Sequence, residues 1–194
     1  MERRAVFLDK DGTLVEDVPY NADPARVRLA PGAGAALRAL SDAGFALVVV
    51  SNQSGVARGY FDCTAVDRVG AHLQQLLAPA GVRLDGYYYC PHHPEGHVAP
   101  FARRCPCRKP APGLLYGAAQ ELGIALERSW MVGDILDDVE AGRAAGCRTV
   151  LVDRGHETEW RPGPLREPHE RVTSLEEAAR RIREALSPVS GGRR

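Results

Sequence analysis

The stretch that decides the fold is Ala5-Val6-Phe7-Leu8-Asp9-Lys10-Asp11-Gly12-Thr13. Its four apolar residues predict a short buried strand, and two aspartates follow where that strand ends. Ligands of open α/β sheets bind outside the carboxyl ends of the strands, so charges placed there indicate a binding site. Asp9 and Asp11 share a face in extended chain, and two converging carboxylates favour a cation such as Mg²⁺. The alternative is an ordinary acidic turn, because Asp-Gly is a common turn dipeptide.

Apolar strands and helical patterns alternate along the rest of the chain. Further strands are predicted over 45–50, 87–89, 130–132 and 148–152, and helices over 31–43, 63–80, 112–122, 137–145 and 174–186. This alternation predicts an α/β fold with helices on both faces of a central, parallel, five-stranded sheet. We expect a single domain over 1–186 and a flexible tail over 187–194. Residues 153–170 lack periodicity, which predicts an irregular segment.

The composition excludes several classes of function. The 194 residues carry 25 basic and 25 acidic side chains, so no bulk charge favours nucleic acid or an anionic membrane. No apolar run approaches the roughly 20 residues that span a bilayer. Residues 1–4 lead almost directly into the first strand and leave no room for a signal peptide, so we expect a cytoplasmic protein. Five cysteines, an odd number, in a reducing compartment then favour metal binding over a disulfide framework.

Polar groups recur at the ends of other strands. They are Ser51 after strand two, Lys109 before a helix, and Asp134, Asp137 and Asp138 after strand four. Parallel strands present their carboxyl ends on one side, so we expect these groups to meet Asp9 and Asp11. The set suits phosphoryl transfer: a carboxylate attacks phosphorus and forms an acyl-phosphate, while Mg²⁺ and an ammonium neutralise the charge. A second carboxyl would protonate the leaving oxygen and then activate water.

A loop rich in Cys and His precedes Lys109. Cys90 and His92 share a face in extended chain, and so do Cys105 and Cys107. Brought together, the two pairs give a closed Cys₃His set, which is typical of structural zinc. The alternative is a cysteine-rich loop with buried thiols. Because Lys109 follows Cys107 by two residues, a zinc ion there would fix Arg108 and Lys109 over the anion site.

In chain order, these residues resemble the four motifs of the haloacid dehalogenase (HAD) superfamily of phosphatases. The motifs are Asp9 to Thr13, Ser51, Lys109 and Gly133 to Asp138, and the resemblance covers roughly residues 5–153. It implies a three-layer, HAD-type, Rossmann-like fold with a zinc-binding loop over 90–107.

The resemblance also implies roles for individual residues. Asp9 would be the nucleophile, Asp11 the general acid and base, Ser51 a hydrogen-bond donor to phosphate and Lys109 the charge neutraliser. Mg²⁺ would lie on Asp9, the backbone carbonyl of Asp11 and Asp134. Asp138 would orient the lysine or a metal-bound water, and Asp137 would be a solvated or helix-capping acid.

The cysteine loop narrows the resemblance. The patterns Cys-x-His-His-Pro-x-Gly over 90–96 and Cys-x-Cys-Arg-Lys-Pro-x-Pro-Gly over 105–113, with Ser51-Asn52-Gln53-Ser54-Gly55 upstream, resemble the heptose 1,7-bisphosphate phosphatases. The related histidinol-phosphate phosphatases share the same zinc loop, and neither group carries a large cap domain. The resemblance implies hydrolysis of the C7 phosphate, with substrate contacts from Asp17, Tyr20, Ser51, Asn52, Gln53, Arg108 and Lys109. Residues 17–20 read Asp-Val-Pro-Tyr and depart from the more polar run of the heptose enzymes.

Three functions are therefore compared. Arg108 favours an anion at the far end of the substrate, so we prefer a heptose bisphosphate to histidinol phosphate. The third function, from another class, is a catalytically inactive, zinc-stapled binding module on the same fold. We expect a small phosphorylated sugar as the partner, no nucleic acid or membrane, and a monomer.

Overall fold

A six-stranded parallel sheet forms the centre of the protein, in a computed structural model that describes residues 3–186. The strand order is β3-β2-β1-β4-β5-β6. The strands are β1 (Ala5–Leu8), β2 (Ala46–Asn52), β3 (Gly86–Cys90), β4 (Trp130–Gly133), β5 (Arg148–Val152) and β6 (Glu170–Val172). The predicted tail over 187–194 lies outside the described residues.

Helices cover both faces of this sheet, as the alternating pattern predicts. They are α1 (Ala33–Asp42), α2 (Cys63–Leu77), α3 (Gly113–Leu122), α4 (Leu136–Ala144) and α5 (Leu175–Glu184). Apolar side chains of α1, α2 and α5 form one core with one face of the sheet, and those of α3 and α4 join a second core on the other face. The predicted three-layer α/β class is therefore confirmed.

The central strand explains how the two cores are separated. Side chains of a strand alternate between faces, so Val6 and Leu8 enter the first core while Ala5 and Phe7 enter the second. All four are fully buried, because β1 pairs in parallel with β2 on one side and β4 on the other. The next residue, Asp9, therefore begins at the middle of the sheet edge.

Local sequence signals set the helix bounds. The Asp62 side chain accepts a hydrogen bond from the Ala65 N–H at the start of α2, and Ser174 accepts one from the Glu177 N–H at the start of α5. Gly123 ends α3 with a positive φ of 66°, a backbone conformation that glycine adopts without strain. The α2 helix ends at Leu77, and a 3₁₀ turn over Ala78–Ala80 replaces the predicted last turn.

Two predictions about the sheet are wrong. A sixth strand exists, because Glu170–Val172 pairs with β5 at the edge of the sheet. In addition, β2 continues through Ser51 and Asn52, which pair with Tyr89 and Cys90 instead of starting a loop. Within residues 3–186, no domain-sized insertion interrupts the alternation of strands and helices. None of the helices described there has the length and apolar character needed to cross a membrane.

Candidate active site

The end of β1 places two acidic side chains beside a tight turn. Asp9 is only 8% exposed, and Gly12 takes a φ of +80°. A Cβ on Gly12 would lie 2.1 Å from Asp134 Oδ2, so the turn needs glycine both for its backbone and for space. The Thr13 hydroxyl donates a 3.1 Å hydrogen bond to Asp134 Oδ1. The first and fourth motifs are therefore in direct contact.

Lys109 lies at the centre of this group. Its Nζ is 2.5 Å from Asp9 Oδ1 and 2.6 Å from Asp138 Oδ1, and it also donates to the backbone carbonyl of Val50 at 3.0 Å. The lysine and Asp138 are both almost fully buried, with 2% and 0% exposure. The flanking carboxylates raise the pKa of Lys109 against the opposing effect of its burial. The side chain is therefore a permanent cation between two acids.

Asn52 fixes the backbone of Lys109. Its side-chain amide donates to the Lys109 carbonyl and accepts from the Lys109 N–H, each at 3.0 Å. These two hydrogen bonds join the end of β2 to the loop over 91–112, which otherwise connects β3 to α3. Asn52 was predicted to contact substrate, and the structure shows that both of its polar groups already bind the lysine loop.

The acidic side chains carry more negative charge than Lys109 can balance. One oxygen each from Asp9, Asp134 and Asp138 lies within 4.8 Å of the others. Burial raises the pKa of Asp9 to about 7, against the attraction of Lys109, and burial also raises the pKa of Asp134 and of Asp138 to about 6. Hard carboxylate oxygens in this number are the donor set that Mg²⁺ prefers. These residues therefore fit a divalent cation, which would keep them ionised.

The Asp11 carboxylate is bound by two side chains from outside that acidic group. Its Oδ1 accepts a 2.6 Å hydrogen bond from Lys10 Nζ, and its Oδ2 accepts one of 2.9 Å from Gln53 Nε2. Gln53 Nε2 also donates to the Ser51 hydroxyl oxygen at 2.8 Å. Ser51, the predicted phosphate contact, is 1% exposed and is not among the residues that line the cavities described below. The first and second motifs are joined through one glutamine.

His156 and Glu157 are site residues that the sequence reasoning missed. His156 Nδ1 is 2.7 Å from Asp134 Oδ2, and its ring lines the cavity at Asp9. The Glu157 carboxylate accepts a 2.7 Å hydrogen bond from the Leu136 N–H, which belongs to the first turn of α4. Both residues come from the irregular segment over 153–169, where no periodicity or motif distinguishes them.

Two adjoining cavities open at this edge of the sheet. The first, of about 230 Å³, is lined by Asp9, Asp11, Asp17, Asn52, Lys109, Asp134, Ile135 and His156. The second, of about 250 Å³, shares Asp11, Asp17 and Asn52 with the first and extends along residues 18–21 and 53–55 to Phe61. A substrate larger than phosphate therefore has a second compartment next to the reacting group.

The predicted substrate-binding residues lie at different depths in this cleft. Asp17 borders both cavities, and Tyr20 lines the outer one with its ring 4.8 Å from that of Tyr60, centroid to centroid. Arg108 is not among the residues that line either cavity. Its Nη1 atom is buried and has no hydrogen-bond partner within residues 3–186.

The second cluster is formed by Cys90, His92, Cys105 and Cys107. The three sulfur atoms lie 3.0–3.4 Å apart, and His92 Nδ1 is 3.4 Å from the Cys107 sulfur. A tetrahedron of zinc–sulfur bonds would place sulfurs about 3.8 Å apart, so this set needs little movement to close on an ion. Hydrogen-bond contacts with Cys90, Cys105 and His92 lower the pKa of the Cys107 thiol to about 5, although burial opposes them. A thiolate, the form that binds metal, is therefore available at neutral pH.

The arrangement at the end of β1 defines the class of protein. A buried carboxylate held by an ammonium, three carboxylates that fit a divalent cation, and an acid at the cleft wall suit attack on phosphorus and proton transfer to a leaving oxygen. This is the site of a phosphoryl-transfer hydrolase.

Comparison with known proteins gives the family. A family model described as HAD-hydrolase-like matches residues 106–178. The D-glycero-beta-D-manno-heptose-1,7-bisphosphate 7-phosphatases of Yersinia pestis and Escherichia coli K12 are each 46% identical over 152 residues, 78% of this chain and 81% and 80% of theirs. The D,D-heptose 1,7-bisphosphate phosphatase of B. bronchiseptica, complexed with magnesium and phosphate, is 30% identical with a TM-score of 0.81 over 94% of this chain and 99% of that one. The chain belongs to the HAD-like hydrolases, in the group of these heptose bisphosphate phosphatases.

Proposed function

We propose that this chain hydrolyses the C7 phosphate of D-glycero-D-manno-heptose 1,7-bisphosphate and gives heptose 1-phosphate. The observation that carries the proposal is the contact of Lys109 with both Asp9 and Asp138 at the end of β1. Support for the particular substrate comes from relatives of that name at 46% identity. The second compartment of the cleft offers room for the rest of a sugar.

The proposed chemistry uses two acids in sequence. The Asp9 carboxylate attacks phosphorus and forms an aspartyl-phosphate, while the bond to the sugar oxygen breaks and Asp11 donates a proton to that oxygen. Asp11 then takes a proton from a water that attacks the same phosphorus, which releases phosphate and restores Asp9. Lys109 neutralises charge on Asp9 and on the transferred group, and Ser51 donates a hydrogen bond to phosphate.

Magnesium is the proposed cofactor of this step. Asp9, the backbone carbonyl of Asp11 and Asp134 would hold it, with Asp138 orienting Lys109. When bound, Mg²⁺ would offset the repulsion between an anionic nucleophile and an anionic phosphate. The pKa of Asp9, which burial raises, supports this role, because a nearby cation would favour the ionised carboxylate that attacks phosphorus.

We propose that Cys90, His92, Cys105 and Cys107 bind a structural zinc ion. Four protein ligands would complete a tetrahedral site and leave no position for catalysis. The ion would hold the loop that carries Arg108 and Lys109, together with the two Asn52 hydrogen bonds to Lys109.

The proposed sugar contacts are Asp17, Tyr20, Asn52, Gln53 and Arg108. Arg108 would meet the second phosphate, because its guanidinium can donate paired hydrogen bonds to a phosphate group. Histidinol phosphate is the alternative substrate, and an inactive zinc-stapled module is the alternative from another class. Neither alternative has a specific observation in its favour.

Steady-state kinetics distinguish these functions. The protein is assayed with Mg²⁺ on both anomers of the heptose bisphosphate and on histidinol phosphate, with phosphate release as the readout. We expect kcat/KM to be higher for one heptose anomer than for histidinol phosphate. The reverse order would overturn the assigned substrate, and no turnover of any phosphate ester would favour the binding module.

We further propose that residues 1–186 act as a single-domain monomer in the cytoplasm. A site made of three thiols needs a reducing compartment to stay metal-bound and free of disulfides. Light scattering at the concentration of the kinetic assay tests the monomer, and a dimer mass would contradict it.

A further inference from the structure

Lys10 is a buried charge that the proposed chemistry does not use. The residue is 1% exposed and is one of the largest fully buried side chains in the described chain. Lysine is almost never buried to this extent unless its charge is paired. The one hydrogen bond that Nζ makes within residues 3–186 is to Asp11 Oδ1, at 2.6 Å. The Lys10 ammonium, whose burial is costly, therefore contacts a single carboxylate in this part of the chain.

The other oxygen of that carboxylate is held from the opposite direction. Gln53 is 6% exposed, and its Nε2 donates to Asp11 Oδ2 at 2.9 Å. The Asp11 side chain itself is 33% exposed and lines both cavities of the cleft. An acid that borders solvent thus accepts hydrogen bonds at both oxygens from donors that are themselves buried.

The fold brings a different lysine to each of the two acids. Asp9 follows the last residue of β1 and meets Lys109, which comes from the loop before α3. Lys10 lies in the turn after β1, and its ammonium contacts Asp11. The two lysines of the site therefore serve different acids, one the nucleophile and the other the proton donor.

We propose that Lys10 is a positioning residue that holds the Asp11 carboxyl in place for proton transfer, in the reaction given under the proposed function. During the first step the phosphorus–oxygen bond to the leaving group breaks, its electron pair stays on the leaving oxygen, and the Asp11 proton moves to that oxygen. Lys10 and Gln53 then hold the carboxylate that remains. Proton transfer depends steeply on the position of the donor, so a loosened Asp11 transfers its proton more slowly.

The test compares two leaving groups in the first turnover of Lys10→Met. A sugar alkoxide must be protonated as it leaves, whereas the 4-nitrophenolate of an aryl phosphate is stable without a proton. Rapid-quench release of the leaving group is measured for heptose bisphosphate and for 4-nitrophenyl phosphate, before water attack contributes. We expect the rate for the sugar to fall about tenfold to hundredfold, and the sugar-to-aryl rate ratio to fall by about tenfold or more. Lys10→Arg, which keeps a buried donor, should recover most of that ratio.

Equal falls in the first-turnover rate for heptose bisphosphate and for 4-nitrophenyl phosphate would assign Lys10 a purely structural role and overturn the inference. Unchanged rates for both substrates would overturn it as well. Lys10→Gln provides a second variant with a neutral donor if the methionine variant unfolds, and the midpoint of thermal unfolding is measured for each. Asp11→Asn separates this inference from the proposed function. If Asp11→Asn slows the release of both leaving groups equally, then Asp11 is not the proton donor. If Asp11→Asn selectively slows release from the sugar phosphate while Lys10→Met does not, only the positioning role of Lys10 is contradicted.

Discussion

Replacing Lys109 with methionine tests the electrostatics of the site most quantitatively. Methionine is close in length and removes a charge that lies 2.5 Å from Asp9 and 2.6 Å from Asp138. Both acids are buried, so losing their shared cation resembles breaking a buried ion pair, which costs about 3–5 kcal/mol. The two carboxyls relieve part of this cost by taking up protons, so the loss depends on pH.

The direction of the pH dependence follows from the pKa values. Burial raises the pKa of Asp9 to about 7 and that of Asp138 to about 6, above the ordinary aspartate pKa of 3.8. Between pH 3.8 and the raised pKa of each carboxyl, the native state binds more protons than the unfolded state, so the free energy of unfolding falls as pH rises. Without Lys109 this window extends above pH 7. The variant should then lose about 1.4 kcal/mol more per pH unit for each carboxyl that remains protonated.

Urea unfolding of Lys109→Met and wild type in Mg²⁺-free buffer measures this loss. We expect a difference of about 3–5 kcal/mol at pH 8 and a much smaller one at pH 5, where the wild-type acids are largely protonated. Lys10→Met is the matched control, because Asp11, the partner of Lys10 among residues 3–186, is 33% exposed and can be hydrated. A loss that is the same at both pH values, or no larger than that of the control, would refute the charge balance described here.

Three further predictions concern other parts of the site. Cys107→Ser should lower both the bound zinc and kcat in excess Mg²⁺, whereas Cys63→Ser should not; full activity without zinc would contradict the role of the loop. Gly12→Ala should abolish turnover and lower the unfolding midpoint more than Gly146→Ala does, because the new Cβ meets Asp134 at 2.1 Å while Gly146 has open space and a similar φ. Glu157→Gln should lower the free energy of unfolding by about 1 kcal/mol at pH 7, because it replaces the charged acceptor at the start of α4 with a neutral one. Although burial opposes it, hydrogen bonds from the Leu136, Glu159 and Trp160 N–H groups lower the pKa of Glu157, so the cost should vanish as pH falls below about 4.5. A cost that persists in acid would exclude the charge as its cause.

Sequence patterns were sufficient to predict the centre of the fold and much of the site. Four apolar residues before Asp9 identify the middle strand, and parallel topology then carries Lys109 and Asp134 to the same edge. The Cys and His pairs were likewise predicted to meet, because alternation along an extended chain places each pair on one face. In these cases a local period or spacing determines where a side chain points.

Other features depend on contacts between distant segments. The strand β6 has three residues and one buried apolar side chain, so its pattern is too short to recognise. His156 comes from a segment without periodicity, and its place beside Asp134 is set by tertiary packing. The burial of Lys10 was equally hidden, because a lysine between two acids is usually solvated. The two hydrogen bonds between Asn52 and the backbone of Lys109, 57 residues away, were also not foreseen.

The most direct measurement is the identity of the phosphorylated residue during turnover. Acid quenching of the enzyme with heptose bisphosphate and Mg²⁺ in the first turnover, followed by peptide mass spectrometry, would locate a transferred phosphoryl group. A phosphoryl adduct on Asp9 that forms and decays at the rate of turnover, and that is absent in Asp9→Asn, is the predicted result. Turnover without any adduct, or an adduct on another residue, would contradict the account.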